Sequence, residues 1–171
     1  MVATAKVAST DGIFIASNES VYGPGNSARE AIITSAGGVE RYPEDGTARL
    51  ANAIGARFSI DPGMICCGFG SDDLLARLAR AYLAPGDELL HTLHGYPKIP
   101  NYAYANDANP VAANDKDFTA DVDAILERVT ERTRIIMLAN PDNPAGTYLS
   151  GAEVRRLHAN LDGRVLLVLD S

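Results

Sequence analysis

From residue 47 onward the apolar positions alternate between two spacings. Segments 47–58, 71–83, 119–130 and 150–160 repeat every three or four residues and predict helices, while 64–67, 88–93, 110–113, 134–139 and 165–169 are short apolar runs that predict strands. Strands alternating with helices imply right-handed crossovers, hence an α/β fold with a mainly parallel sheet covered by helices on both faces. The runs IIML and VLLVL are continuously apolar, as strands covered on both sides are. Upstream, Gly12, Gly23, Pro24 and Gly25 interrupt any helical pattern, so residues 1–26 predict an extended N-terminal arm around the short run 13–16. A short helix is expected over 27–35, capped by Ser27 and ended by Gly37 and Gly38, followed by the turn-rich stretch RYPEDG at 41–46. Two regions result, an arm with its helix over 1–46 and a sheet domain over 47–171. The chain stops two residues after its most hydrophobic strand, a position that a central strand seldom occupies, so the sequence predicts the N-terminal part of a longer protein.

Composition narrows the function. Of 171 residues, 46% are hydrophobic and 22% charged, enough apolar content for a core and too little charge for a disordered chain. The formal charge of −7 and a pI near 4.9 argue against nucleic acid or an anionic membrane as bulk-charge partners, and leave room only for local anion sites. The longest apolar run is far too short to span a bilayer and no hydrophobic signal region opens the chain. The adjacent Cys66 and Cys67 make no metal-type pair and would form only a strained disulfide, which suits a reducing, cytoplasmic setting.

Ligands of open parallel sheets bind at the carboxyl ends of the strands, and four loops there carry candidate chemistry. In GFGSDD at 68–73 the glycines allow close backbone approach, and the amides of Gly70, Ser71 and Asp72 open a helix, an arrangement suited to an anion. A plain glycine turn with Ser71 as cap would read the same way. The loop lacks the third glycine of a dinucleotide fingerprint, since Asp73 stands there, although Asp87 or Glu88 lies at the distance of a ribose-binding acid. Tyr96, directly after a strand, could present its ring to a planar ligand or simply pack on the sheet edge. His91 and His94 at i, i+3 on an extended segment point to opposite faces, which disfavours a metal site. The stretch NPDNPAGTYLS at 140–150 holds two Asn-Pro steps that stiffen a turn and could aim an amide at a ligand oxygen. Asp170, closing VLLVLD, either pairs with a cationic ligand or is a solvated strand end.

An anion pocket, a stacking face, a neutral amide and an isolated carboxylate suit a phosphorylated, protonated heteroaromatic ring. In this the chain resembles the fold type I pyridoxal-phosphate aminotransferases of class I/II, most of all their histidinol-phosphate branch. The resemblance rests on SNESVYGPG at 17–25, RYPEDG, GFGSDD, the Tyr96 loop, PDNPAG at 141–146 and VLDS at 168–171, in the same order and over essentially the whole chain. It implies that Gly70, Ser71 and Asp72 hold the phosphate of pyridoxal 5'-phosphate and that Tyr96 stacks on its ring. It further implies that Asn143 bonds the ring hydroxyl and that Asp170 pairs with the ring nitrogen, keeping the ring protonated. Tyr42 would reach the cofactor phosphate of the neighbouring subunit, while Asn18 and Tyr22 would lie on the substrate side. A homodimer with shared sites, an amino donor such as histidinol phosphate and a 2-oxo acid, 2-oxoglutarate, are thereby implied. On this reading residues 1–46 belong with the small domain and dimer contact, and 47–171 form the first part of the cofactor-binding domain.

The chain departs from the family pattern at Val21, where proline is usual, and at Phe69 and Asp73, where asparagine and glutamate are common. The catalytic lysine of the family lies downstream of the strand-end aspartate among serines and threonines. Lys6, Lys98 and Lys116 are the only lysines here and none has that context, so the segment alone is not expected to turn over. Lys98, two residues past Tyr96, has no feature that marks it as a substitute. Threonine-phosphate decarboxylase, similar in the same motifs, is the alternative enzyme, and a non-catalytic fragment that binds a phosphorylated ligand is the alternative of another class.

Overall fold

A computed structural model describes residues 18–20, 22–42 and 47–171. In chain order they form α1 (Asn26–Ser35), α2 (Ala48–Phe58), α3 (Ser71–Tyr82), β1 (Glu88–Thr92), α4 (Ile99–Tyr104), β2 (Asn109–Ala113), β3 (Asp115–Lys116), β4 (Thr119–Ala120), α5 (Val122–Arg128), β5 (Thr133–Ala139), α6 (Gly151–Ala159) and β6 (Leu166–Asp170). Residues 1–46 and 47–171 are two compact units. The extended run expected at 13–16 and the last four residues of RYPEDG lie outside the described residues.

In the second unit the sheet is parallel, with strand order β2-β1-β5-β6. The chain moves from β1 outward to β2, then back past β1 to β5 and on to β6. Right-handed crossovers in opposite directions put the connecting helices on opposite faces. Leu75, Ala79 and Leu83 of the α3 region and Ile99 and Ala103 of α4 accordingly pack with Leu89, Ile135 and Met137 on one side. Val122 and Ile125 of α5 and Leu157 of α6 pack with Leu90, Ile136 and Leu138 on the other. Successive residues of β5 thus feed two cores, which is why that strand reads as continuously apolar. No helix among the described residues is long and apolar enough to cross a membrane.

Several local expectations are corrected. Residues 64–67 form no strand: Pro62–Met64 make a 3-10 turn, and the segment after it, extended at Ile65 (φ −109°, ψ 120°), pairs with none of the four strands. Extended backbone without a ladder partner is not a strand. VLLVL does have apolar partners on both faces, since Leu166 and Val168 pack with one core and Leu167 with the other, but β6 pairs only with β5 among the described residues and Leu169 is exposed. The cap of α1 is Gly25, with no side-chain bond from Ser27. The helix expected over 119–130 is shortened at both ends. Thr119 and Ala120 pair with Asp115 and Lys116 in a hairpin whose tip residues, Asp117 and Phe118, both have positive φ. Asp121 then starts α5 by accepting from the amides of Asp123 (2.9 Å) and Ala124 (3.3 Å). Helix α4 lies where no helix was expected, and its Pro100 sits in the first turn where no amide is needed.

Two caps have measurable weight. Ser150 starts α6 by accepting from the Glu153 amide at 3.3 Å. Asp121, satisfying two amides, is the stronger, and Asp121→Ala is expected to cost about 1 kcal/mol, read as a lowered urea midpoint at unchanged slope.

Candidate active site

The order β2-β1-β5-β6 reverses direction between β1 and β5, and at such a point open α/β sheets bind ligands in the crevice outside the carboxyl ends of the strands. The loop after β1 carries Tyr96, and the loop after β5 carries Asn143. Ala139 is the register partner of Asp170, and the Asn140 amide donates to the Asp170 carbonyl at 2.8 Å, so the Asn143 turn leaves the sheet beside Asp170.

The GFGSDD loop meets the same end of the sheet through side chains. Gly70 caps α3 at φ +85°, a conformation that favours glycine, and no side chain caps the helix, so Ser71 is its first residue and not its cap. Asp73 instead reaches back and accepts from the Phe69 amide at 2.9 Å while pairing with Arg77 at 2.8 Å. The Phe69 amide, then burial-opposed help from Arg77, holds the Asp73 carboxyl below its usual range. A Cβ on Gly68 would fall 2.7 Å from Oδ2 of Asp73, so the glycine is what lets this carboxylate close the loop. The amides of the first turn of α3 are left pointing outward at the positive end of the helix.

Asp72 is the hub. Its Oδ1 accepts from Tyr96 Oη at 3.0 Å and Tyr102 Oη at 2.8 Å, and its Oδ2 pairs with Lys98 Nζ. Lys98 and Tyr102, with Tyr96 after them, hold the Asp72 carboxyl below the usual carboxylate range. In return Asp72, and then Tyr96, hold the Lys98 ammonium above its ordinary range. A lysine so paired favours its protonated form, which is the wrong form for a base. Burial, Asp72, Tyr96 and the charge of Asp170 together push the Tyr102 phenol well above a normal tyrosine. Tyr102 therefore bonds the Asp72 carboxylate of the phosphate-type loop and also feels the charge of the strand-end Asp170. Sequence reasoning missed it. The available signal was its position in HGYPKIPNY, one turn into an unexpected helix.

The two asparagines of the second stiff turn have different jobs. Asn140 donates to the Leu149 carbonyl (3.0 Å) and accepts from the Leu149 amide (2.9 Å), closing the loop, whereas Asn143 is exposed between Asp142 and Pro144. A cleft of about 480 Å³ opens beside it, lined by His94, Asp117, Phe118, Pro144, Ala145 and Thr147. Its walls are neighbours of Tyr96 and Asn143 without including them. In the first unit, Tyr22 and Tyr42 are almost wholly exposed (91% and 99%), and Asn18 adopts φ 54°.

The nucleotide alternative is overturned by placement. Glu88 opens β1 at the opposite end of the sheet from the crevice, buried against Arg132 and Thr130, and Asp87 beside it accepts from the Ala84 amide and faces Arg134. His91 bonds the Thr92 carbonyl and His94 pairs with Asp115. Cys66 and Cys67 are free thiols.

Open helix-end amides, tyrosines flanking a carboxylate, an exposed amide and a strand-end aspartate form a donor set that fits a planar ring bearing a phosphate. Comparison with known proteins agrees. Residues 10–171 match the family described as aminotransferase class I and II. The chain is 48% identical over 157 residues to histidinol-phosphate aminotransferase of Rhodospirillum centenum and 49% identical over 157 residues to that of Paramagnetospirillum magneticum, covering 92% of this chain and 43% of each relative. It spans less than half the length of these curated relatives. The crystal structure of histidinol-phosphate aminotransferase from Sinorhizobium meliloti in complex with pyridoxal-5'-phosphate superposes with a TM-score of 0.86 at 29% identity, covering 91% of this chain and 42% of that one. By the match over nearly its whole length, the chain belongs to the class I and II aminotransferases.

Proposed function

We propose that the complete protein transfers an amino group from histidinol phosphate, or a similar phosphorylated or aromatic amine, to 2-oxoglutarate with pyridoxal 5'-phosphate, and that these residues build one wall of its site. The observation that carries this reading is the Asp72 hub, which joins the anion-type loop, the Tyr96 loop and, through Tyr102, the field of Asp170. Bound there, the cofactor would supply a protonated pyridine that withdraws electrons from the substrate α-carbon. The amides at Gly70, Ser71 and Asp72 would hold its phosphate, and Tyr96 would cover one ring face. Asn143 would donate to the ring hydroxyl, and Asp170 would keep the ring nitrogen protonated.

Tyr42, Tyr22 and Asn18 are assigned to the phosphate of a partner subunit and to the substrate. The exposure of Ile32, Ile33, Val39 and Tyr42 in the first unit supports a covering partner chain, here a second copy in a cytoplasmic homodimer. On the same reading, residues 1–46 serve the small domain and dimer contact and 47–171 begin the cofactor domain.

Glutamate formation from histidinol phosphate and 2-oxoglutarate by the complete protein, with a visible cofactor band, tests the reading. Carbon dioxide release from threonine phosphate without glutamate would replace it with the decarboxylase. The 171 residues alone are expected to give no turnover in the same assay, because Lys98 is committed to Asp72. Turnover by the segment would overturn that assignment.

A further inference from the structure

Asp115 lies outside the set of groups assigned to the cofactor, yet its side chain is only 3% exposed. Its Oδ2 accepts twice from one residue, from the His94 amide at 2.9 Å and from His94 Nδ1 at 2.8 Å. Its Oδ1 is buried with no hydrogen-bond partner among the described residues. A carboxylate kept buried at that cost must hold something in place. What it holds is the start of the Tyr96 loop, since His94 is two residues from Tyr96. Gly95 between them is wedged against Thr92 Oγ1, with Asp142 Oδ1 3.4 Å from where a Cβ would stand.

The same carboxylate sits on the hairpin that braces the Asn143 turn. The His94 ring meets Phe118 edge-on with centroids 5.1 Å apart, and the Phe118 carbonyl accepts from Thr147 Oγ1 at 2.6 Å. Thr147 and Asp142 close the turn around Asn143: the Asp142 amide donates to the Thr147 carbonyl at 2.8 Å, and Asp142 Oδ2 accepts from the Ala145 amide at 3.2 Å. Phe118 holds a positive φ of 59°, strained for an aromatic residue, and it contacts both loops at that point.

We propose that Asp115 is a positioning residue of the cofactor site, fixing the Tyr96 loop through His94 and tying that loop to the Asn143 turn through the β3–β4 hairpin. This rests on the function proposed above. Asp115 touches neither cofactor nor substrate. It acts by restricting where the Tyr96 ring and the Asn143 amide can stand.

The test uses the complete protein loaded with pyridoxal 5'-phosphate and reads the circular dichroism of the cofactor band and the cofactor dissociation constant. Asp115→Ala is expected to lose at least half of the cofactor dichroism and to weaken retention roughly tenfold, since displacing a positioned group by about 1 Å costs up to ~10²-fold. Asp115→Asn, which keeps an oxygen for His94, is expected to retain most of both. Glu88→Ala, which destabilises the opposite end of the sheet, is the control and should leave both unchanged. If Asp115→Ala does not fold, His94→Ala reads the same loop with the carboxylate intact and is expected to show the same loss. A wild-type protein with no cofactor band removes the functional reading and this proposal with it. A normal wild-type band with unchanged dichroism and affinity in the folded variant overturns the proposal alone.

Discussion

Asp170→Asn in the complete protein is expected to lower the transamination rate by about 10²–10³-fold, the effect of removing one preorganised electrostatic partner from a developing charge. The substitution preserves shape and leaves the backbone contact intact, because it is the Asp170 carbonyl, not its side chain, that receives the Asn140 amide. Stability should therefore barely change, and the loss should fall on kcat more than on KM, since the carboxylate acts on the ring and not on the amino donor. Steady-state rates with histidinol phosphate, alongside a thermal melt, make the measurement. A variant within threefold of wild type would show that Asp170 does not serve the ring nitrogen.

Glu88→Ala is expected to be the most damaging substitution to stability at the far end of the sheet, at about 2–3 kcal/mol. Glu88 is 5% exposed at the side chain and accepts from Thr130 Oγ1 (2.6 Å), from Arg132 Nε (2.9 Å) and Nη2 (2.7 Å), and from Thr133 Oγ1 (3.3 Å). Its own amide donates to the Arg132 carbonyl at 2.9 Å, so one residue pins the α5–β5 connection to β1. Burial alone would raise the carboxyl, but the bonds from Thr130, Arg132 and Thr133 outweigh it and hold the group below its ordinary 4.5. A depressed carboxyl stabilises the fold above its unfolded value, and that contribution is lost as pH falls through the lower folded value. The gap between wild type and Glu88→Ala in urea midpoint should thus be full at pH 7 and shrink below about pH 4.5. An equal gap at pH 3 and pH 7 would mean that the carboxylate charge is not what stabilises this corner.

The alternation of apolar runs from residue 47 was legible because each run must bury a face, and the period of that face differs between helix and strand. The loops of the site were legible for a related reason: Gly70 at positive φ, two Asn-Pro steps and an aspartate closing an apolar strand are local chemical demands written in consecutive residues. Tyr102, Lys98 and Asp115 were not legible. Each acquires its meaning from a partner 21 to 30 positions away, Asp72 for the first two and His94 for the third. Residues 64–67 failed in the opposite direction, with strand-like composition but no ladder to join.

By itself the sequence determined the α/β class, the placement of most elements and the family of the chain, because periodicity, caps and short motifs act over a few residues. Only the tertiary structure decided which acids are structural and which face the crevice. Glu88 and Asp87 stand at one end of the sheet and Asp72 and Asp170 at the other, and the parallel pairing of the strands, which puts every strand's start at one end and every finish at the other, sets that division. A carboxylate's role follows from the donors and charges around it, and those are gathered only when distant segments pack.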